Sequence, residues 1–233
     1  AVRRVEWLGD VQPGDSVAAV WGIDKLSPSD LAALKRTADE LGVPVDSLAA
    51  VMSIEGGFNP LARNPHTRAT GIIQFIPSTA RSLGTTVDEL FEMTFQEQLP
   101  YVVKFYEMNR CTGVQDPGEL YTCTFCPALR GKPEDFVVGE EGVTDVVSPC
   151  ATRASMDKVY NQNKSLDVNK DGVLTAGDVR DKARRRLDEA TGRIPIGDVP
   201  PEGPPKKKKK ASPLPVILGG AALVALGVWT GVL

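Results

Sequence analysis

Between Ser27 and Glu55 the polar and apolar positions fall into two helical stretches. Ser27-Pro28-Ser29-Asp30 before Leu31-Ala32-Ala33-Leu34 reads as a helix start with a good capping residue, and Gly42-Val43-Pro44 closes that helix. A second helix opens at Val45-Asp46-Ser47, carries Leu48, Val51, Met52 and Ile54 at helical spacing, and stops at Gly56-Gly57. Asn59 to Thr70 is a polar loop, and Pro77 begins a short helix to Leu83. Val87 to Phe91, Phe95 to Met108 and Leu120 to Leu129 again place apolar residues at helical spacing. A further helix starts at Met156, and a charged one runs to about Ala190. Strand-like alternation is scarce, so the predicted fold class is mainly α.

The pattern changes after residue 190. Residues 191–212 are rich in proline and glycine and then carry Lys206 to Lys210, which predicts a stiff, solvated linker. Leu214 to Leu233 contains no charge, and twenty residues of helix at ~1.5 Å each are long enough to cross a bilayer core. Residues 213–233 are therefore expected to form a C-terminal transmembrane helix in contact with the lipid bilayer, with Trp229 as an interfacial anchor. Residues 1–25 hold no uninterrupted apolar stretch of signal-peptide length and read as an N-terminal extension.

At 233 residues the chain can build one good core with attachments, not two large domains. The expected boundaries are 26–153 for a main domain and 154–190 for an appended helix-loop-helix. Net charge is −3, but five of the 27 basic residues are Lys206 to Lys210, leaving 22 against all 30 acidic ones in residues 1–205. That body, at −8, has nothing basic to spare for phosphates, and no nucleic acid is expected as a partner.

Two segments carry the chemistry. Glu55 stands at the end of the apolar stretch Leu48 to Ile54, where desolvation and the negative end of the helix dipole both favour a protonated carboxyl, the state a general acid needs. Sixteen residues later comes Gly71-Ile72-Ile73-Gln74-Phe75-Ile76-Pro77-Ser78-Thr79-Ala80, a glycine-led apolar turn with one amide that can read a sugar hydroxyl or N-acetyl group. Ile54-Glu55-Gly56-Gly57-Phe58-Asn59-Pro60 and this second block, at this spacing, resemble the catalytic core of lytic transglycosylases and goose-type lysozymes, which cleave the glycan strand of peptidoglycan. The resemblance extends through Leu26 to Leu48, Ser82-Leu83-Gly84-Thr85-Thr86, Glu97 to Val102, Glu119-Leu120-Tyr121, Gly131 to Asp135 and Tyr160 to Lys164. Over these blocks the chain is similar to the phage-associated branch of the family.

That resemblance implies a lysozyme-like catalytic domain with Glu55 as the catalytic residue, and Gly71, Gln74, Phe75 and Tyr121 as substrate-binding residues. Glu55 would protonate the oxygen between N-acetylmuramic acid and N-acetylglucosamine, then act as base on the muramic 6-hydroxyl or on water. No second carboxylate stands out. Asp46 and Asp88 are merely present, so assistance by the substrate's N-acetyl group is the better assumption. Gln74 could alternatively cap a turn. Relatives carry an aromatic residue, often tyrosine, in the segment matching Phe125 to Ala128; here that position is Cys126, with Tyr121 a weak substitute.

Asp167 to Asp178 has the EF-hand spacing, with Asp167, Asn169, Asp171, Val173 (through its carbonyl), Thr175 and Asp178 as oxygen donors and Gly172 at the sharp turn. Asp178 replaces the usual Glu, and the shorter carboxylate predicts weaker Ca²⁺ affinity or more tolerance of Mg²⁺. Such an ion would be structural; none is required for catalysis. The single histidine, His66, reads as a solvated loop residue and rules out a histidine-rich metal site. Cys111, Cys123, Cys126 and Cys150 read first as buried thiols, because Cys123 and Cys126 fall one helical turn apart in an apolar segment. Two disulfides are the alternative, and a zinc site lacks its usual second close pair.

Lysines on the near side of the apolar tail predict that the body is made on the cytoplasmic side of a bilayer, away from peptidoglycan. A virus that carries the enzyme on an internal virion membrane, beside other membrane or capsid proteins, resolves this by opening the wall of the next cell. The alternatives are a bacterial wall-remodelling or secretion-associated transglycosylase at the inner membrane, and a non-catalytic anchored protein that binds peptidoglycan. Retention of Glu55 disfavours the last.

Overall fold

The computed structural model describes residues 11–12, 14–151 and 154–197. The expected helices form: α1 (Pro28–Leu41), α2 (Val45–Glu55), α3 (Pro77–Ser82), α4 (Val87–Glu92), α5 (Phe95–Met108), α6 (Pro117–Phe125), α7 (Met156–Asn163) and α8 (Ala176–Asp188). Their starts are chemically marked. Ser27 with Asp30, Thr86 with Glu89, Thr94 with Glu97 and Thr175 with Asp178 form reciprocal capping boxes, each cap contributing about 1 kcal/mol.

Helix α2 is the axis of the molecule. Leu48, Ala49, Ala50, Val51 and Met52 are all fully buried, so the middle of the helix is enclosed on every side. It is wrapped by α1, α6 and α8, and touched by a short strand, β1 (Ser16–Ala18). Small residues at 49 and 50 let those neighbours approach closely. A helix boxed in this way delivers its last residue, Glu55, to one defined place.

Two segments expected to lie outside the main domain are built into it. β1 pairs antiparallel with β4 (Arg193–Pro195), Val17 and Ile23 are buried in the core, and so is Ile196. Alternation too short to register as strand pattern still closes a two-stranded sheet across the boundaries expected at residues 25 and 190. The helix-loop-helix makes contacts of its own with the main domain. β2 (Val137–Glu140) pairs with β3 (Val173–Thr175), and α8 packs on α2 and α6. Arg180 of α8 is 2% exposed; its Nε donates to Glu119 of α6 at 2.8 Å, and its Nη2 donates to the carbonyls of Lys132 (2.7 Å) and Leu129 (3.3 Å).

The cysteines form two disulfides, Cys111–Cys123 and Cys126–Cys150, which overturns the thiol reading. Helix α6 ends at Phe125, and Cys126 turns to extended backbone with φ −161°. Cys123 and Cys126 consequently do not share a helical turn, and each reaches a different partner. Among the described residues no helix is long and apolar enough to cross a membrane. The transmembrane helix expected at 213–233, and most of the linker, lie outside the described residues.

Candidate active site

Glu55 is the C-terminal residue of α2. The residue is partly exposed, but its Oε1 is sealed from solvent and, among the described residues, has no hydrogen-bond partner. Desolvation pushes its carboxyl well above the ordinary value, so it holds a proton where a surface glutamate would not. Burial foremost, with the charge of Glu55 adding to it, pushes the hydroxyls of Tyr106 and Tyr121 up. Tyr106 rests its hydroxyl on Thr124 Oγ1 at 2.8 Å. The Tyr121 hydroxyl, like Glu55 Oε1, is buried and unpartnered among the described residues.

The second block is brought against the end of α2. A Cβ at Gly56 would stand 2.7 Å from the Gly71 carbonyl oxygen and 3.2 Å from Ile72 Cα, so the residue after Glu55 touches the Gly71 turn through bare backbone. Gly71 itself has φ +87°, and a Cβ there would lie 2.3 Å from Gln98 Oε1. Gln98, fully buried in α5, is the clamp of this region. Its Oε1 accepts from Ile72 N–H (3.0 Å), and its Nε2 donates to the carbonyls of Pro60 and Leu90, both at 2.8 Å. One amide thus ties both ends of the 60–72 loop to α4 and α5.

The remaining expected substrate contacts divide. Gln74 is partly exposed with φ +54°, and its Nε2 donates to the Gly71 carbonyl at 3.0 Å, so it caps its own turn; among the described residues nothing bonds its Oε1. Phe75 is 2% exposed and packs edge-on against Phe105 at 6.4 Å. It belongs to the core and supports the turn from beneath. Tyr121 is also fully buried, with its ring 6.2 Å from that of Phe125. Both rings, expected at the substrate, are buried in this structure.

Neither spare carboxylate is available as a catalytic partner. Asp46 accepts from Ala18 N–H at 2.8 Å and pairs with Arg193 at 2.8 Å, stitching β1 and β4 to α2. Asp88 pairs with Arg68 at 2.9 Å and Arg63 at 3.0 Å, and their hydrogen bonds hold its carboxyl below the usual value. His66 is an exposed loop residue.

The Asp167 to Asp178 segment forms the expected tight loop between α7 and α8, with Gly172 at φ +84°. Its carboxylates are engaged from within. Asp167 Oδ1 accepts from Lys170 N–H, and Oδ2 accepts from Gly172 N–H and the Tyr160 hydroxyl. Desolvation opposes the Asp167 charge, but these bonds outweigh it and hold the carboxyl below its ordinary value. Tyr160, donating to that charge, is pushed up to about 12. Asp171 accepts from Asn169 and from Val173 N–H, and Asp178 from Thr175. Val173 and Thr175 lie in β3 and at the α8 cap. Among the described residues no group of three or more His, Cys, Asp or Glu side chains is placed to hold a metal ion.

Gln98, Tyr106 and the Trp21 to Lys25 segment escaped the sequence reading. Gln98 had a signal, an uncharged polar residue on the apolar stripe of α5 beside Phe95, Leu99 and Val102.

Residues 33–97 match the family model of the transglycosylase SLT domain, a span holding α2, Glu55 and the whole Gly71 to Ala80 block. The match supports the lytic transglycosylase and lysozyme-like superfamily, and with it an enzyme whose substrate is peptidoglycan. No curated protein matches the chain.

Proposed function

We propose that Glu55 is the general acid and base of a lytic transglycosylase acting on the bond between N-acetylmuramic acid and N-acetylglucosamine. The observation that carries this is its Oε1: a buried, unpartnered carboxyl oxygen at the end of a rigid helix, inside the segment similar to transglycosylases. An orphaned buried polar atom costs stability, about 1–3 kcal/mol, unless function retains it. The protonated carboxyl gives its proton to the glycosidic oxygen as the bond to muramic C1 breaks. With Asp46 and Asp88 held in ion pairs, the substrate's own N-acetyl oxygen takes up C1. The muramic 6-hydroxyl then attacks C1, returns its proton to Glu55, releases the N-acetyl oxygen and leaves a 1,6-anhydro end. The unoccupied Gln74 Oε1 is suited to an N–H or hydroxyl of the sugar.

The finer biology is read from the C-terminal sequence: anchorage through 213–233, and use on an internal virion membrane to open the host wall during infection. The support is the uncharged twenty-residue run behind five lysines. Finding the protein in purified particles and losing it on detergent extraction tests this. A second reading, an exported wall-remodelling transglycosylase of a bacterial envelope, is favoured by the two disulfides, which form and persist outside the reducing cytoplasm. Ca²⁺ or Mg²⁺ at the 167–178 loop is a separate proposal resting on its run of oxygen donors. Titration calorimetry with either ion tests it, and absence of heat at about millimolar concentration removes it.

The catalytic assignment is tested by zymography on peptidoglycan. Wild type should clear and Glu55→Gln should not; equal clearing would sink the assignment.

A further inference from the structure

Trp21 breaks the burial pattern around it. Val20 and Ile23 are each 3% exposed and Gly22 is buried, yet Trp21 is 57% exposed. Its backbone is anchored: Ser53, fully buried in α2, donates to the Trp21 carbonyl at 2.7 Å. Its ring is seated as well. A Cβ at Gly57 would stand 2.6 Å from Trp21 Cζ3, so the indole lies directly on the backbone two residues beyond Glu55. Lys25 completes the seat, its Nζ donating to the Gly57 carbonyl at 2.9 Å and lying 4.7 Å from the ring centroid, with the Arg186 guanidinium 6.0 Å away. Gly22, at φ +85°, allows the close approach, since a Cβ there would be 3.1 Å from the Gly57 oxygen.

An isolated exposed apolar side chain needs no explanation by itself. This one is fixed from both backbone and ring, and it adjoins the turn that ends the catalytic helix. An indole combines an apolar face with a polar N–H, and few rotamers are lost on binding, which suits the C–H face of a pyranose ring. We propose that Trp21 is a saccharide subsite, stacking a sugar unit of the same glycan strand next to the unit held at Glu55. The inference rests on the glycan-cleaving reading of Glu55. It adds a specificity-determining residue outside the segment matched by the family, carried by residues 16–25 folding onto α2.

The test uses full-length protein in which Trp7 and Trp229 are replaced by Phe, leaving Trp21 as the sole indole. Titration with an N-acetylglucosamine hexamer should quench or shift its emission, and the dimer should do so far less. By titration calorimetry, which needs no indole, Trp21→Ala should weaken hexamer binding about tenfold; it should also raise KM on peptidoglycan while kcat stays within about twofold, with Trp21→Tyr restoring most of the loss. Glu55→Gln should lose clearing but keep the hexamer-induced quench. Unchanged emission with hexamer, or hexamer affinity of Trp21→Ala equal to wild type, would overturn the subsite. If instead Glu55→Gln clears peptidoglycan while the quench persists, the catalytic assignment falls and sugar binding at Trp21 stands.

Discussion

Gly71→Ala probes the joint between α2 and the second block. Two costs add. At φ +87° an L-residue is strained by about 1–2 kcal/mol. The new Cβ would also stand 2.3 Å from Gln98 Oε1 and 2.9 Å from Cδ, and a buried amide cannot swing into solvent. Moving it breaks up to three bonds, to Ile72 N–H and to the Pro60 and Leu90 carbonyls, at about 1 kcal/mol each or more. The sum is about 4–5 kcal/mol, measured as the loss of unfolding free energy in urea by circular dichroism. Gln98→Ala alone should cost about 3 kcal/mol for the same three bonds. In the double variant the clash has no partner, so the total should fall short of the sum of the singles by about 2 kcal/mol or more. Additivity within about 0.5 kcal/mol, or a Gly71→Ala cost below about 1 kcal/mol, would refute the clamp.

Three further outcomes follow from the geometry. Arg180→Met strands the Glu119 carboxylate and two backbone carbonyls, and should cost about 3–5 kcal/mol in urea unfolding; a loss under about 1 kcal/mol would mean α8 is only loosely docked. Reducing the disulfides, which span 12 and 24 residues, should remove about 3 kcal/mol each, read as a lower urea midpoint in dithiothreitol; an unchanged midpoint contradicts this. Because the folded state raises the Glu55 pKa, it binds that proton more tightly than the unfolded chain does. The resulting stabilisation is full below the ordinary value of 4.5 and is lost as pH rises through the folded-state value, at no more than about 1.4 kcal/mol per pH unit. Glu55→Gln should lack this slope, so its stability relative to wild type should climb with pH above 4.5; parallel curves would show a carboxyl that is not desolvated.

Helices were legible because their starts carry local chemistry: the Ser27, Thr94 and Thr175 caps are written in adjacent residues. Glu55 was legible for a related reason, since a buried helix ended by two glycines puts its last side chain at an edge. What escaped depended on partners distant in sequence. The β1 to β4 pairing joins Ser16 to Pro195, and three-residue strands carry too little alternation to register. Tyr121 and Phe75 were read as substrate contacts because their blocks suggested it; that both rings are buried depends on packing from α5 and α6 that spacing does not encode. The cysteine pairs depended on where α6 stops, a boundary of one residue.

The most direct measurement is mass spectrometry of fragments released from purified peptidoglycan by wild type and by Glu55→Gln. Glutamine keeps the shape and removes the buried acid, so the variant should fold at least as stably as wild type at neutral pH. The account predicts 1,6-anhydromuramyl ends from wild type and no released fragments from folded Glu55→Gln. Anhydro fragments released by the variant at the wild-type rate would contradict it.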